Sequence, residues 1–316
     1  MSYSQLILKL LIALTLISQV YSKEEIQKIA ALSGPLPKVL QQQYNDCVIN
    51  AVCSAIEYVT TPKTGKTESN PLLPLRPSRS GLYMLAKYHA FSSLEEWKRG
   101  DYHSWRSDYG VSLGDAFITL DRCGCFPEEP VTLRDGYKVP GWSYCLQDVP
   151  VSPDMFRIAF DSDFDGISDA MEPLLLEGSI IHKKDICKIE NPYARVYNNI
   201  VYELIERPSK FDDSFFNKIK EHLCADKPIV VSISATEDFM NLRGNGPIVG
   251  KGRLVNDMHV VLMVGYGHYP ACGECAHIQN SWGTSWGCQG RALLTRGYLE
   301  KYFYGGYAVS IPGFFN

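Results

Sequence analysis

Three side chains of this sequence form a reactive set if the fold brings them together: Cys47, His259 and Asn280. Cys47 lies at the start of the run Gln41 to Val59, in which Val48, Val52, Ala55 and Val59 recur at steps of four, three and four. Ile49 and Ile56 widen that stripe. Such a period predicts a core-facing helix, with Asn45 and Asp46 as candidates for its cap. Cys47 then falls in the first turn, where unpaired N–H groups and the positive end of the helix dipole favour an anion. A thiol there is expected to ionise more easily, and the thiolate is the nucleophile. On the helix alone, a buried structural cysteine remains the competing reading.

His259 opens the Val-rich run Val260 to Val264, which reads as a buried strand ending at Gly265-Tyr266-Gly267. A second strand is expected at Ala276 to Asn280, after a loop from His268 to Cys275. If the two form a hairpin, the midpoint between 259 and 280 falls between Tyr269 and Pro270, inside that loop. His259 and Asn280 then project to one face, and the amide holds one imidazole nitrogen while the other meets a thiol. Trp282 follows closely enough to shield that hydrogen bond. His268 lies in the predicted turn, and His277 is expected to point away from Asn280. His89, His103, His182 and His222 read as surface or loop residues.

The segment Asn280-Ser281-Trp282-Gly283-Thr284-Ser285-Trp286-Gly287-x-x-Gly290 resembles the asparagine signature of the papain family of cysteine peptidases. His259 with its apolar strand resembles that family's histidine block. Gln41, six residues before Cys47, has the spacing of its oxyanion glutamine. Cys47-x-x-Asn50-Ala51 resembles a branch in which Asn-Ala follows the nucleophile. Gly110 to Ala116, Gly124 to Glu128 and Lys227 to Val231 agree less specifically. The resemblance implies an α+β, papain-like two-lobe fold: a helical lobe within 41–210 and an antiparallel β-barrel-like lobe within 211–316, with a peptide-binding cleft between. It implies peptide-bond hydrolysis through an acyl-enzyme, with Cys47 as nucleophile, His259 as acid and base, Asn280 orienting, Gln41 at the oxyanion, and no cofactor for catalysis. The alternative is a catalytically inactive papain-fold protein that binds peptides. A transglutaminase-like acyltransferase fits the Asn280 to Gly290 signature poorly. The sequence also departs from the family: Gln42 and Asn45 stand where glycines are usual, and Asp46 puts negative charge beside the thiol.

The apolar run Leu6 to Val20, followed by Val20-Tyr21-Ser22 and a charged triplet, reads as a signal peptide spanning 1–22. About 15 residues fall short of the roughly 20 that span a bilayer, so no stable membrane span is expected after cleavage. A short segment, 23–40, replaces the long propeptide of many papain relatives. The expected destination is the secretory pathway: outside the cell or a lysosome- or vacuole-like compartment. A net charge of −4 gives no reason to expect nucleic acid as a partner; polypeptide substrates are the expected ones. Of ten cysteines, Cys53 reads as a buried free thiol beside the nucleophile. Cys123, Cys125, Cys145, Cys187, Cys224, Cys272, Cys275 and Cys288 are left for up to four disulfides, with a zinc site at Cys123-x-Cys125 and Cys272-x-x-Cys275 as the rival. Finally, Asp161, Asp163, Asp165, Asp169 and Glu172 occupy positions 1, 3, 5, 9 and 12 of a calcium-loop pattern with Gly166 at 6. A structural Ca2+ site and a solvated acidic turn are both open there.

Overall fold

The computed structural model describes residues 30–42, 45–61, 76–79, 81–83, 86, 110–123, 128, 131–132, 138–139, 200–270 and 272–311. The signal peptide, the acidic loop 161–172 and Cys125, Cys145 and Cys187 lie outside the described residues. In chain order the elements are β1 (Ala30–Ala31), α1 (Cys47–Thr60), α2 (Leu113–Cys123), β2 (Val131–Thr132), β3 (Lys138–Val139) and β4 (Val201–Glu206). They continue with α3 (Asp213–Cys224), β5 (Ile229–Thr236), α4 (Glu237–Met240), β6 (Leu254–Tyr269), β7 (Gly273–Gln279), β8 (Arg291–Thr295), α5 (Arg296–Tyr302) and β9 (Phe303–Ser310).

The main sheet runs β4-β9-β5-β6-β7-β8, with β1 pairing β6 beyond the stretch that β5 occupies. All of its ladders are antiparallel. Its end strands β4 and β8 do not pair with each other, so the sheet is open rather than closed into a barrel. Both faces are covered, which explains why its central strands are apolar without alternation. Val260, Leu262 and Val264 of β6 join the cluster around α1, while Val261 and Met263 join the cluster around α3 and α5.

Helix α1 begins at Cys47 as the period predicts, and Val48 to Thr60 are all buried. Burying each Val or Ile of such a face contributes about 1.5–3 kcal/mol. Its far end is closed by the Thr60 and Thr61 hydroxyls, which donate to the carbonyls of Ile56 and Glu57. There Tyr58 donates to Asp226, whose carboxylate also accepts from the Ser33 N–H and hydroxyl at 2.9 Å each. This ties the helix end to the N-terminal segment and to the turn before β5.

Helix α3 corrects one expectation. His222 is 7% exposed rather than on the surface, because it stands beside Leu223 on the helix flank packed under the sheet. Burial lowers its pKa against the pull of Glu203, 3.7 Å away.

Candidate active site

Cys47 is the first helical residue of α1, and Asp46 before it caps the helix by position without a side-chain hydrogen bond to it. The residue is partly exposed. With His259, Val260 and Trp282 it lines a cleft of about 950 Å3, whose other wall includes Asn45, Gly110, Val111 and Ser112. Glycine is required at 110: its φ is +80°, and a Cβ there would come within 2.8 Å of the Asn45 carbonyl. Burial works against the expectation that the helix start eases ionisation of the thiol. Burial pushes the Cys47 pKa up to about 11, and the Asp46 carboxylate pushes the same way, against the N–H groups of Val260, Val48 and Cys47. Removing an anion from water here outweighs what the helix dipole and three N–H groups return.

The histidine half is built on the sheet. His259 Nε2 lies 2.8 Å from Asn280 Oδ1, which also accepts the Ser281 N–H at 2.8 Å. With Oδ1 as an acceptor, Nε2 carries the proton and Nδ1 is left as the basic nitrogen. The two side chains are 2% and 3% exposed, and burial lowers the His259 pKa to about 4 despite the Asn280 hydrogen bond. Trp282 does cover the pair: its ring centroid is 4.6 Å from that of His259. Phe239 closes the other side at 5.6 Å, edge-on, and its carbonyl accepts the Trp286 indole N–H.

The hairpin itself differs in register from the sequence estimate. Leu262 pairs with Gln279 and Met263 with Ile278, followed by a bulge before Gly265. Extrapolated, the position opposite His259 lies two residues past Asn280. A slip of two residues leaves every side chain on its original face, so the His259–Asn280 contact survives.

The glutamines divide. Gln41 is exposed and pairs through its backbone with Trp282, its side chain over Gly283. Gln42 lines the cleft, and its Oε1 accepts the Ser281 hydroxyl at 2.6 Å. Phe239 is not among the residues the sequence points to, while Gln42 is named there as standing where a glycine is usual, with spacing favouring Gln41 for the oxyanion. Phe239 belongs to no motif, and Gln42 differs from its neighbour only in tertiary position. Leu204, Met258 and Tyr304 are large exposed apolar side chains on the cleft wall.

Among the described residues, no three His, Cys, Asp or Glu side chains are placed to hold a metal ion. Cys272 and Cys275 lie as a near pair, with their Cα atoms 6.4 Å apart, and Cys53 is free and buried. Cys224 and Cys288, expected in disulfides, instead carry free exposed thiols, at the end of a surface helix and in a turn. No helix among the described residues is long and apolar enough to cross a membrane.

Residues 182–305 match the family model described as papain family cysteine protease, a stretch that includes His259 and Asn280 but not Cys47. Xylellain, a cysteine protease from Xylella fastidiosa, superposes with a TM-score of 0.51 at 18% identity, over 89% of this chain and 85% of that one. Digestive procathepsin L 3 of Tenebrio molitor larval midgut gives 0.46 at 15% identity, over 89% and 69%. No curated protein matches the sequence. The resemblance read from the motifs and the papain-like α+β fold are thereby borne out.

Proposed function

We propose that this papain-like chain hydrolyses peptide bonds through Cys47, His259 and Asn280. The observation that supports the reading most is the fixed His259–Asn280 pair facing a cleft that Cys47 also lines. Burial acts on both groups in the same sense, raising the thiol pKa and lowering that of the imidazole, so each shift favours the uncharged form. His259 takes the thiol proton as the sulfur attacks the peptide carbonyl. It then protonates the leaving amine and activates the water that cleaves the acyl-enzyme. Asn280 keeps the ring in the tautomer that leaves Nδ1 free. The Cys47 backbone N–H and a glutamine amide stabilise the oxyanion. Spacing assigns that amide to Gln41; position in the cleft makes Gln42 the second candidate.

The leader at 1–22 is proposed to direct the chain into the secretory pathway, and the acidic loop Asp161, Asp163, Asp165, Asp169 and Glu172 to bind a structural Ca2+. Calorimetry without a calcium signal removes the latter.

A thiol-directed epoxide tests the peptidase reading. Peptide mapping is expected to find it on Cys47 with peptidase activity lost in step, although Cys224 and Cys288 are more exposed. Modification of those two with Cys47 untouched contradicts the reading and favours a peptide-binding protein without catalysis.

A further inference from the structure

Asn50 stands one turn into α1, three residues after Cys47, and is 3% exposed. Its Nδ2 donates to the Asp46 carbonyl at 3.1 Å, which fixes the orientation of the amide. Asn280 is fixed independently, because its Oδ1 serves His259 and the Ser281 N–H. One atom of each amide is left over, an acceptor on Asn50 and a donor on Asn280. Neither Asn50 Oδ1 nor Asn280 Nδ2 meets a hydrogen-bond partner in the protein. Both residues line one small cavity of about 10 Å3, together with Leu40, Ser54, Val260 and Ser281. That volume accommodates about one water, and two complementary polar atoms in its wall supply the minimum of partners such a water needs. Leaving both atoms bare in a buried place is strongly unfavourable.

We propose that Asn50 is a positioning residue that braces Asn280 through one ordered water at the back of the cleft. The water accepts from Asn280 Nδ2 and donates to Asn50 Oδ1. A flipped Asn280 would turn its NH2 group to the Ser281 N–H and remove the acceptor that sets the His259 tautomer. A water held on Nδ2 and oriented by Asn50 opposes that flip. The link also fastens the helix turn carrying the thiol to the strand end carrying the orienting amide. Its catalytic consequence rests on the peptidase reading; the link itself is a property of the folded chain and is measurable without turnover.

The test combines a high-resolution crystal structure of the wild-type protein with nitrogen-15 NMR of the His259 ring in wild type, Asn50→Leu and Asn50→Asp. Expected are a water within hydrogen-bond reach of both atoms and a single Nε2–H tautomer in the wild type. The leucine variant, close in size but without the acceptor, is expected to show mixed tautomers and about a tenfold loss in kcat at little-changed KM. The aspartate variant, which keeps an acceptor, is expected to recover the Nε2–H signal. A dry cavity, or an unchanged His259 tautomer in Asn50→Leu, overturns the proposal. If the water and the tautomer change are found but no variant cleaves peptides, the link stands and the peptidase reading is what fails.

Discussion

The two halves of the candidate site are held in different ways. His259 and Asn280 sit on or next to central strands, joined by a direct 2.8 Å hydrogen bond under the rings of Trp282 and Phe239. Cys47 sits at a helix tip, and the chain before it is tied to the strand side by backbone bonds at Leu40 and Gln42. Gln42 N–H donates to the Ser281 carbonyl at 2.6 Å, and Gly283 N–H to the Leu40 carbonyl at 3.1 Å. The sheet half is preset in orientation and tautomer. The helix half sets the charge state of the sulfur, through burial and through Asp46. Orientation is thus set from the sheet and the charge on sulfur from the helix, and each is open to separate attack.

The largest effects are expected from the sheet half. His259→Ala is expected to lower kcat by about 10^4-fold or more, and Asn280→Ala by about 10^2-fold, since the second loses orientation and not the proton carrier. Steady-state kinetics on a peptide substrate decides this; the reverse order contradicts the assigned roles.

A pH effect on stability comes next. His259 has a folded pKa of about 4, below its ordinary 6.5. Its contribution is full above pH 6.5 and is lost as pH falls towards 4, where the unfolded chain takes up the proton and the folded one does not. The loss is about 3 kcal/mol over that window. Urea midpoints measured between pH 7 and 4 read it, and His259→Gln is expected to flatten the slope. His277, also lowered to about 4 by burial, adds to the wild-type slope and remains in that variant.

The smallest effect sharpens the helix half. Asp46→Asn removes the carboxylate that raises the Cys47 pKa while costing no side-chain cap bond. Alkylation of Cys47 at neutral pH is expected to quicken by about three- to tenfold, because a lowered thiol pKa raises the thiolate fraction. An unchanged rate means that burial alone sets the thiol.

Much of this was legible in the sequence, for identifiable reasons. Helix α1 follows from the Val48-Val52-Ala55-Val59 period, which leaves its start at Cys47. Strands β6 and β7 follow from apolar runs bounded by turn residues, and face parity carried the His259–Asn280 pairing through an error in register. What failed depends on distant packing. A helix start favours ionisation of the thiol, and the burial that opposes it leaves no trace in the local sequence. Gln41 and Gln42 are the same residue type side by side, so only the third dimension separates them. His222 looked polar by context, yet lies on a covered helix flank. The open sheet, where a barrel-like one was expected, turns on whether β4 and β8 meet, and no local pattern encodes that.

The central claim is that Cys47 and His259 work as one unit. A double-mutant cycle measures this directly: peptide hydrolysis by wild type, Cys47→Ala, His259→Ala and the double variant, with circular dichroism to confirm that each remains folded. The double variant is predicted to be no slower than either single one. Losses that multiply would mean that the two side chains act independently, and would contradict the account.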